Sequence, residues 1–280
     1  VHAGSGNERA YIGRWRWLFY RPGIDYCTGP GFLDPRHMAH RASSGSEWRP
    51  APQPDPRAAI LQFHQQLAAR NVRLVLMPTP DKATIHPEKF SSRYEDRRMG
   101  VHNPSYRQLL DELEAEDVLV CDATGALVEY RDRSGAAVYL ATDTHWRPEA
   151  MELAAAELAR LIEEEIVFDT GAADRTWHRT TRDAKNRGDI AMMLRLRRNR
   201  SVFGEEAVTI RPVTDAAGQP WRPDPAAEIL ILGDSFANIY SLELMNWGSA
   251  AGLAEQLSFA LNRPVDAILR NDDGAYATRQ

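Results

Sequence analysis

The chain has 280 residues, 43% of them hydrophobic, with a formal net charge of −5 and a pI near 5.9. That length and apolar content suffice for one sizeable α/β domain or two small ones, and the acidic balance argues against a general nucleic-acid binder. No run reaches the ~18 consecutive apolar residues of a membrane helix, no signal peptide is visible, and the histidines form no His-Glu-x-x-His motif, which leaves a soluble enzyme with no metal or other cofactor expected.

Taken in chain order, Trp15, Trp17, Phe19 and Tyr20 read as a half-buried strand, with stacking on sugar rings as the functional alternative. Residues 42–56, with a serine-rich start and several prolines, read as an exposed connector. Pro56 to Arg70 places Ile60, Leu61, Phe63, Leu67 and Ala68 at helical spacing, and the strand Val72 to Met77 follows. After a Pro-Thr-Pro turn comes Lys82, a candidate contact for a substrate carboxylate or hydroxyl, with an ion pair to Asp81 or Glu88 as the structural alternative. Pro104 to Ala115 is the next helix and Val118 to Cys121 the next strand. Arg147 to Ile166 is a longer amphipathic helix, whose Glu163, Glu164 and Glu165 make a solvated face.

Residues 170–187 are polar and expected to be irregular, ahead of a helical run from Ile190 to Leu194. The basic group Arg195, Arg197, Arg198 and Arg200 fits either a polyanion contact or a solvated helix end. Strand Glu228 to Leu232, a helix after Ser235, a helix from Leu253 to Leu261 and strand Val265 to Leu269 complete the pattern. This βα alternation predicts an α/β fold, a parallel sheet flanked by helices, in a single domain over 1–280 with loop insertions near 42–56 and 170–187. Sheets of this kind bind ligands at the carboxyl ends of their strands, where Lys82, His145, Ser235 and Asn271 would lie.

Two segments carry chemistry. The apolar run from Ile229 to Leu232 ends in Gly233-Asp234-Ser235 and passes into a helical pattern. Gly233 permits a tight turn, and Ser235 falls in a first helical turn, where a backbone N–H lacks an intrahelical partner and is free to hold an oxyanion. The alternative is an N-cap serine. The second segment is Thr142-Asp143-Thr144-His145-Trp146. A serine hydroxyl needs an imidazole to take its proton, and a carboxylate two residues away, on the same face of an extended stretch, would orient that imidazole. Singly, His145 could be a locally satisfied histidine near a helix start, with Thr142 or Asp143 as the N-cap. Together the segments point to Ser235, His145 and Asp143 as nucleophile, base and partner.

These blocks resemble the SGNH-hydrolase-like domain of bacterial alginate O-acetyltransferases, the AlgX/AlgJ type. The resemblance rests on Asp-Thr-His-Trp at 143–146, Gly-Asp-Ser-Phe at 233–236 and Pro78 to Glu88, with support from Trp17-Leu18-Phe19-Tyr20 and Arg187-Gly188-Asp189-Ile190. The histidine block precedes the serine block, the reverse of ordinary SGNH esterases and similar to the alginate acetylation group. The resemblance implies further oxyanion donors from a glycine and an asparagine, whose local equivalents are Gly274 and Asn271. It implies acetyl transfer through an acyl-serine to hydroxyls of an alginate-like exopolysaccharide. It also implies a donor delivered by a membrane acyltransferase, and a periplasmic or membrane-anchored extracytoplasmic location reached by a leader or anchor outside this chain. The alternatives are an acetylesterase using the same triad and a non-catalytic polysaccharide-binding assembly subunit. Cys27 and Cys121 are expected as separate thiols, with a bridge as the alternative in an oxidising compartment.

Overall fold

Two pairs of parallel strands carry the α/β core. The computed structural model describes residues 6–43, 54–96, 99–168, 176–195 and 202–271. An antiparallel hairpin opens the chain, β1 (Ala10–Ile12) against β2 (Leu18–Tyr20), followed by α1 (Arg21–Thr28), α2 (Pro35–Ser43) and α3 (Pro56–Ala68). The Asp55 carboxylate starts α3 by accepting from Arg57 N, and Pro56 fills the first helical position, where a missing N–H costs nothing. Next come β3 (Val75–Leu76), α4 (Lys82–Ile85), α5 (Pro87–Phe90), α6 (Tyr106–Glu114), β4 (Leu119–Val120) and α7 (Thr124–Ser134), which ends on a left-handed Gly135. The remainder comprises α8 (Pro148–Glu165), β5 (His178–Arg179), β6 (Arg182–Asn186), α9 (Asp189–Met193), β7 (Glu206–Ile210), β8 (Val213–Thr214), β9 (Leu230–Gly233), α10 (Ser235–Asn238), α11 (Leu253–Leu261) and β10 (Asp266–Leu269).

β3 pairs in parallel with β4, and β9 with β10, Gly233 lying opposite Leu269. The expected parallel sheet is hydrogen-bonded as these two separate pairs. β3 and β4 are two residues long, too short for a ladder across four strands, so apolar packing joins the pairs instead. Val75, Ile229, Ile231 and Ala267 all pack on one cluster with Cys121, Leu158, Ile162, Leu257 and Val265. Residues expected to be irregular contain two strands: β5 pairs with β8 and β6 with β7, both antiparallel.

The larger apolar cluster joins Trp17 and Phe19 of the first hairpin to Leu127, Leu140, Trp146, Met151, Tyr240 and Trp247, all buried. The N-terminal aromatics therefore divide: Trp17 and Phe19 are core, whereas Trp15 is 61% exposed. Cys27 and Cys121 are both free and buried, and they belong to different clusters. Of the basic group after α9, Arg195 is exposed, and Arg197, Arg198 and Arg200 lie outside the described residues. None of the described helices is long and apolar enough to cross a membrane.

Candidate active site

His145 sits on the return arm of a narrow loop. Leu140 N donates to His145 O at 3.1 Å and Arg147 N to Val138 O at 2.8 Å, so residues 141–144 close a tight bend between two buried extended arms. Within that bend Asp143 folds back. Its Oδ1 accepts from His145 N at 3.1 Å and from the imidazole Nδ1 at 2.6 Å. The pair thus meets through a turn, where an extended stretch was expected. Neither Thr142 nor Asp143 caps α8, which begins at Pro148 after Arg147.

Asp143 and His145 are 3% and 4% exposed. Burial by itself would neutralise both, but the hydrogen bond and the opposite charges of the pair outweigh it. The Asp143 carboxyl is held well below the usual carboxylate range and the imidazole above its ordinary value, with Asp189 and Asp234 adding to the field on His145. A carboxylate on Nδ1 fixes the tautomer that leaves Nε2 to accept a proton. Nε2 is buried and has no hydrogen-bond partner.

Ser235 is the first residue of α10, directly after β9. Asp234 is the N-cap, its Oδ1 accepting from Phe236 N at 2.9 Å, so Ser235 does not cap the helix. A Cβ on Gly233 would come within 3.0 Å of the Leu269 side chain and 3.1 Å of Ala237 Cβ, so the turn lies close against β10 and α10 and a side chain there would need both neighbours to give by a few tenths of an ångström. Contacts bind the His145 loop to the serine helix: the imidazole lies 4.8 Å from the Phe236 ring, Trp146 Nε1 donates to Phe236 O at 3.1 Å, and Tyr240 OH donates to Trp146 O at 2.7 Å. The loop and helix are thereby locked together, while the free Nε2 and Ser235 Oγ form no hydrogen bond in this resting geometry. Such bonds commonly tighten only when substrate binds. Asn271 is drawn to the same helix by Asn238 Nδ2, which donates to its Oδ1 at 3.0 Å. Gly274 lies outside the described residues.

Four residues to which the sequence reading assigned no role complete the surroundings. Trp247 Nε1 and Asp189 N both donate to Asp143 Oδ2 at 3.1 Å. The Asp189 carboxylate accepts from Thr144 N at 2.7 Å and from Thr144 Oγ1 at 2.8 Å. The Glu206 carboxylate takes the backbone N–H groups of Ala141 and Thr142, each at 2.8 Å, and the Thr142 hydroxyl at 2.6 Å. Gly188 lies flat on this bend. The Arg-Gly-Asp-Ile block pointed to two of the four, but its task shows only once it is folded against the loop.

The model of the family described as "SGNH hydrolase-like domain, acetyltransferase AlgX" matches residues 11–275. The chain belongs to this AlgX-type family. It is similar to a probable alginate O-acetylase AlgJ of Pseudomonas aeruginosa, 30% identical over 154 residues, which is 54% of this chain and 38% of that protein. The AlgJ of Pseudomonas fluorescens is 27% identical over 162 residues, 56% of this chain and 40% of that protein. The chain therefore spans about two fifths of the length of these curated relatives. Among solved structures, the O-acetyltransferase domain of Pseudomonas putida AlgJ superposes with a TM-score of 0.67 at 19% identity, over 94% of this chain and 79% of that one. That similarity shows the SGNH-hydrolase-like α/β fold.

Within this AlgX-type domain Lys82 makes neither of the ion pairs considered for it. Its ammonium is buried and donates to Leu18 O at 2.8 Å and Ala141 O at 3.4 Å, tying the first hairpin to the 141–144 bend. Asp81 instead caps α4 through Ala83 N, and Glu88 faces His86, Lys89 and Arg131. Burial lowers the Lys82 pKa to about 8 against the pull of Asp143, Asp189, Glu206 and Asp81. Asp143, His145 and Asp189 of the domain bring one metal-ligating atom each within 4.8 Å of one another. Their oxygens are already taken by the His145, Trp247, Asp189 and Thr144 donors just described. That arrangement suits proton transfer better than ion binding.

Proposed function

We propose that this domain moves acetyl groups to hydroxyls of a bacterial exopolysaccharide through an acetyl-serine at Ser235. The observation that carries this reading is the buried Asp143–His145 pair, bonded at 2.6 Å, clamped onto the helix that begins at Ser235 in a chain of the AlgX family. His145 Nε2 takes the Ser235 Oγ proton as Oγ attacks the donor carbonyl. The Ser235 backbone N–H, with a contribution from the 271–274 segment, stabilises the oxyanion; losing one such donor typically costs ~10²–10³ in rate. Collapse of the tetrahedral species expels the donor's leaving group, which takes the proton from His145 and leaves acetyl on Ser235. A sugar hydroxyl then gives its proton to Nε2 and attacks the acetyl carbonyl, which frees Oγ to recover that proton.

The alginate acetylation named for the relatives supports an alginate-like polymer as acceptor. A membrane acyltransferase as donor source and an extracytoplasmic location are further parts of this proposal, implied by the sequence resemblance. Intact-mass analysis after exposure to an activated acetyl donor should show one added acetyl that maps to Ser235 and is missing from Ser235→Ala. An unmodified wild-type chain would sink the acyl-serine route. Running an aryl acetate with and without an oligosaccharide acceptor separates transfer from hydrolysis, because only transfer yields acetylated sugar.

A further inference from the structure

The turn between β1 and β2 is held in a conformation its residues do not favour. Trp17 N donates to Arg14 O at 2.9 Å, closing a four-residue turn whose two central residues, Trp15 and Arg16, have φ of 49° and 65°. Two successive positive φ values define the type I′ turn, which Asn-Gly adopts readily and bulky residues adopt only under strain. Core packing does not explain the choice, since Trp15 is 61% exposed and the neighbouring Trp17 already fills the core.

The surroundings of Trp15 point to a ligand. The Arg14 guanidinium lies 4.1 Å from the indole centroid, and Lys89 Nζ is 4.8 Å from the same ring and 5.7 Å from that of Trp17. Gly13 presses the turn against α5, where a Cβ would lie 2.6 Å from Lys89 O, so the platform is fixed to the domain. Beside it opens a cleft of about 410 Å³, lined by Trp17, Glu88, Lys89, Glu95, Arg131 and Asp132 among others. The cleft is not apolar. Carboxylates of Glu88, Glu95 and Asp132 surround the Lys89 ammonium there, presenting acceptors and a donor together next to the exposed indole of Trp15. A protein partner anchored on Trp15 would want an apolar surround, whereas this combination fits the C–H face and the hydroxyls of a sugar ring.

We propose that Trp15, Lys89 and this cleft form a saccharide-binding subsite, separate from the Ser235–His145 cluster, that holds a ring of the polymer being acetylated. This rests on the polysaccharide reading above. The test replaces the strained pair with the residues the turn prefers, Trp15→Asn with Arg16→Gly, in the full chain. Wild type and variant are titrated with a uronic-acid oligosaccharide and, separately, a neutral glucan oligosaccharide, by calorimetry and by NMR of the tryptophan indole N–H signals. The expected result is a variant whose Tm is higher by about 2–4 °C, confirming an intact fold, and whose affinity is at least ~10-fold lower for whichever saccharide the wild type binds. Comparing the two probes shows whether the cations select carboxylates or hydroxyls suffice. Equal affinity in both proteins, or no binding of either probe to wild type, overturns the subsite. So does a variant that loses only self-association, which would make Trp15 a protein contact. Acetylation of Ser235 by a small donor is measured without polymer, so its failure strikes the acetyl-transfer reading and not this one.

Discussion

The main-chain N–H of Asp189 donates to Oδ2 of Asp143 at 3.1 Å while the Asp189 carboxylate grips Thr144, so one residue holds both the orienting carboxylate and the bend that carries it. Three donors, from Thr144 N, Thr144 Oγ1 and Ile190 N, converge on that carboxylate and favour its ionised form, against burial and the Asp143 charge, which raise its pKa. Asp189→Asn keeps the shape and removes the charge. It is expected to lower the rate of Ser235 acetylation about 10-fold with little change in Tm, whereas Asp189→Ala, which strands the Thr144 donors, should also destabilise the fold by roughly 1–3 kcal/mol. Rate and thermal melt measured on both variants check this.

The pH dependence follows from the direction of the shifts at the same pair. The base role proposed for His145 needs the neutral imidazole, and its pKa lies above the ordinary 6.5, so acetyl-enzyme formation should rise with pH through a midpoint above 6.5. In Asp189→Asn the midpoint should move to lower pH, because one carboxylate in the field is gone. Stability runs the other way. The raised imidazole contributes stability below 6.5 that is lost as pH climbs through its folded value, and the depressed Asp143 contributes stability above 3.8 that is lost as pH falls through its own. The Tm advantage of wild type over Asp143→Asn should therefore peak between those two values, and pH-resolved melting curves would reveal a peak placed elsewhere.

Gly188 is expected to tolerate no side chain. Its φ of −62° suits any residue, but a Cβ would lie 2.2 Å from Thr142 C and 2.4 Å from Asp143 N, atoms of backbone that cannot swing aside. Gly188→Ala must therefore push the bend away from α9 and loosen the Asp143–His145 geometry. A displacement of this size typically costs about 10²-fold in rate. Single-turnover acetylation of Ser235 is the measurement, and an alanine variant as fast as wild type would show that the loop adapts.

Lys82 should make stability respond to alkaline pH. Its folded pKa of about 8 lies below the ordinary lysine value of 10.5, so the unfolded chain binds the extra proton across that window and stability gains as pH rises through it. Relative to Lys82→Met, wild type should gain up to about 3 kcal/mol between pH 8 and 10.5. At neutral pH the same variant is expected to be the less stable by roughly 1–3 kcal/mol, because Leu18 O loses the ammonium at 2.8 Å and Ala141 O is left with Leu18 N alone. Urea titrations at the two pH values test both signs.

Helices with strong periodicity were legible in the sequence. The run from Leu253 to Leu261 matches α11 end to end, and Pro56 to Arg70 overshoots α3 by two residues, because apolar spacing at 3.6 records which face is covered. Helix α7 left no such mark. Its buried positions are Thr124, Leu127, Val128 and Arg131, two of them polar, and the Arg131 guanidinium is satisfied inside the fold by Ile85 O. A polar residue buried through a tertiary hydrogen bond, as Arg131 is, breaks the apolar spacing that would announce the helix.

Around the candidate site the same division holds. The amino-acid order alone determined the local parts: an apolar strand that turns at Gly233 into a helix beginning with Ser235, and a carboxylate two residues before His145, since each needs only neighbours in the chain. Tertiary structure alone decided that Gly188, Asp189, Glu206 and Trp247 would converge on that carboxylate's bend, that Lys82 would point inward to two carbonyls, and that Trp15 would point out. Those outcomes depend on which distant backbone groups arrive within hydrogen-bonding distance once the core closes, and chain spacing carries no record of that.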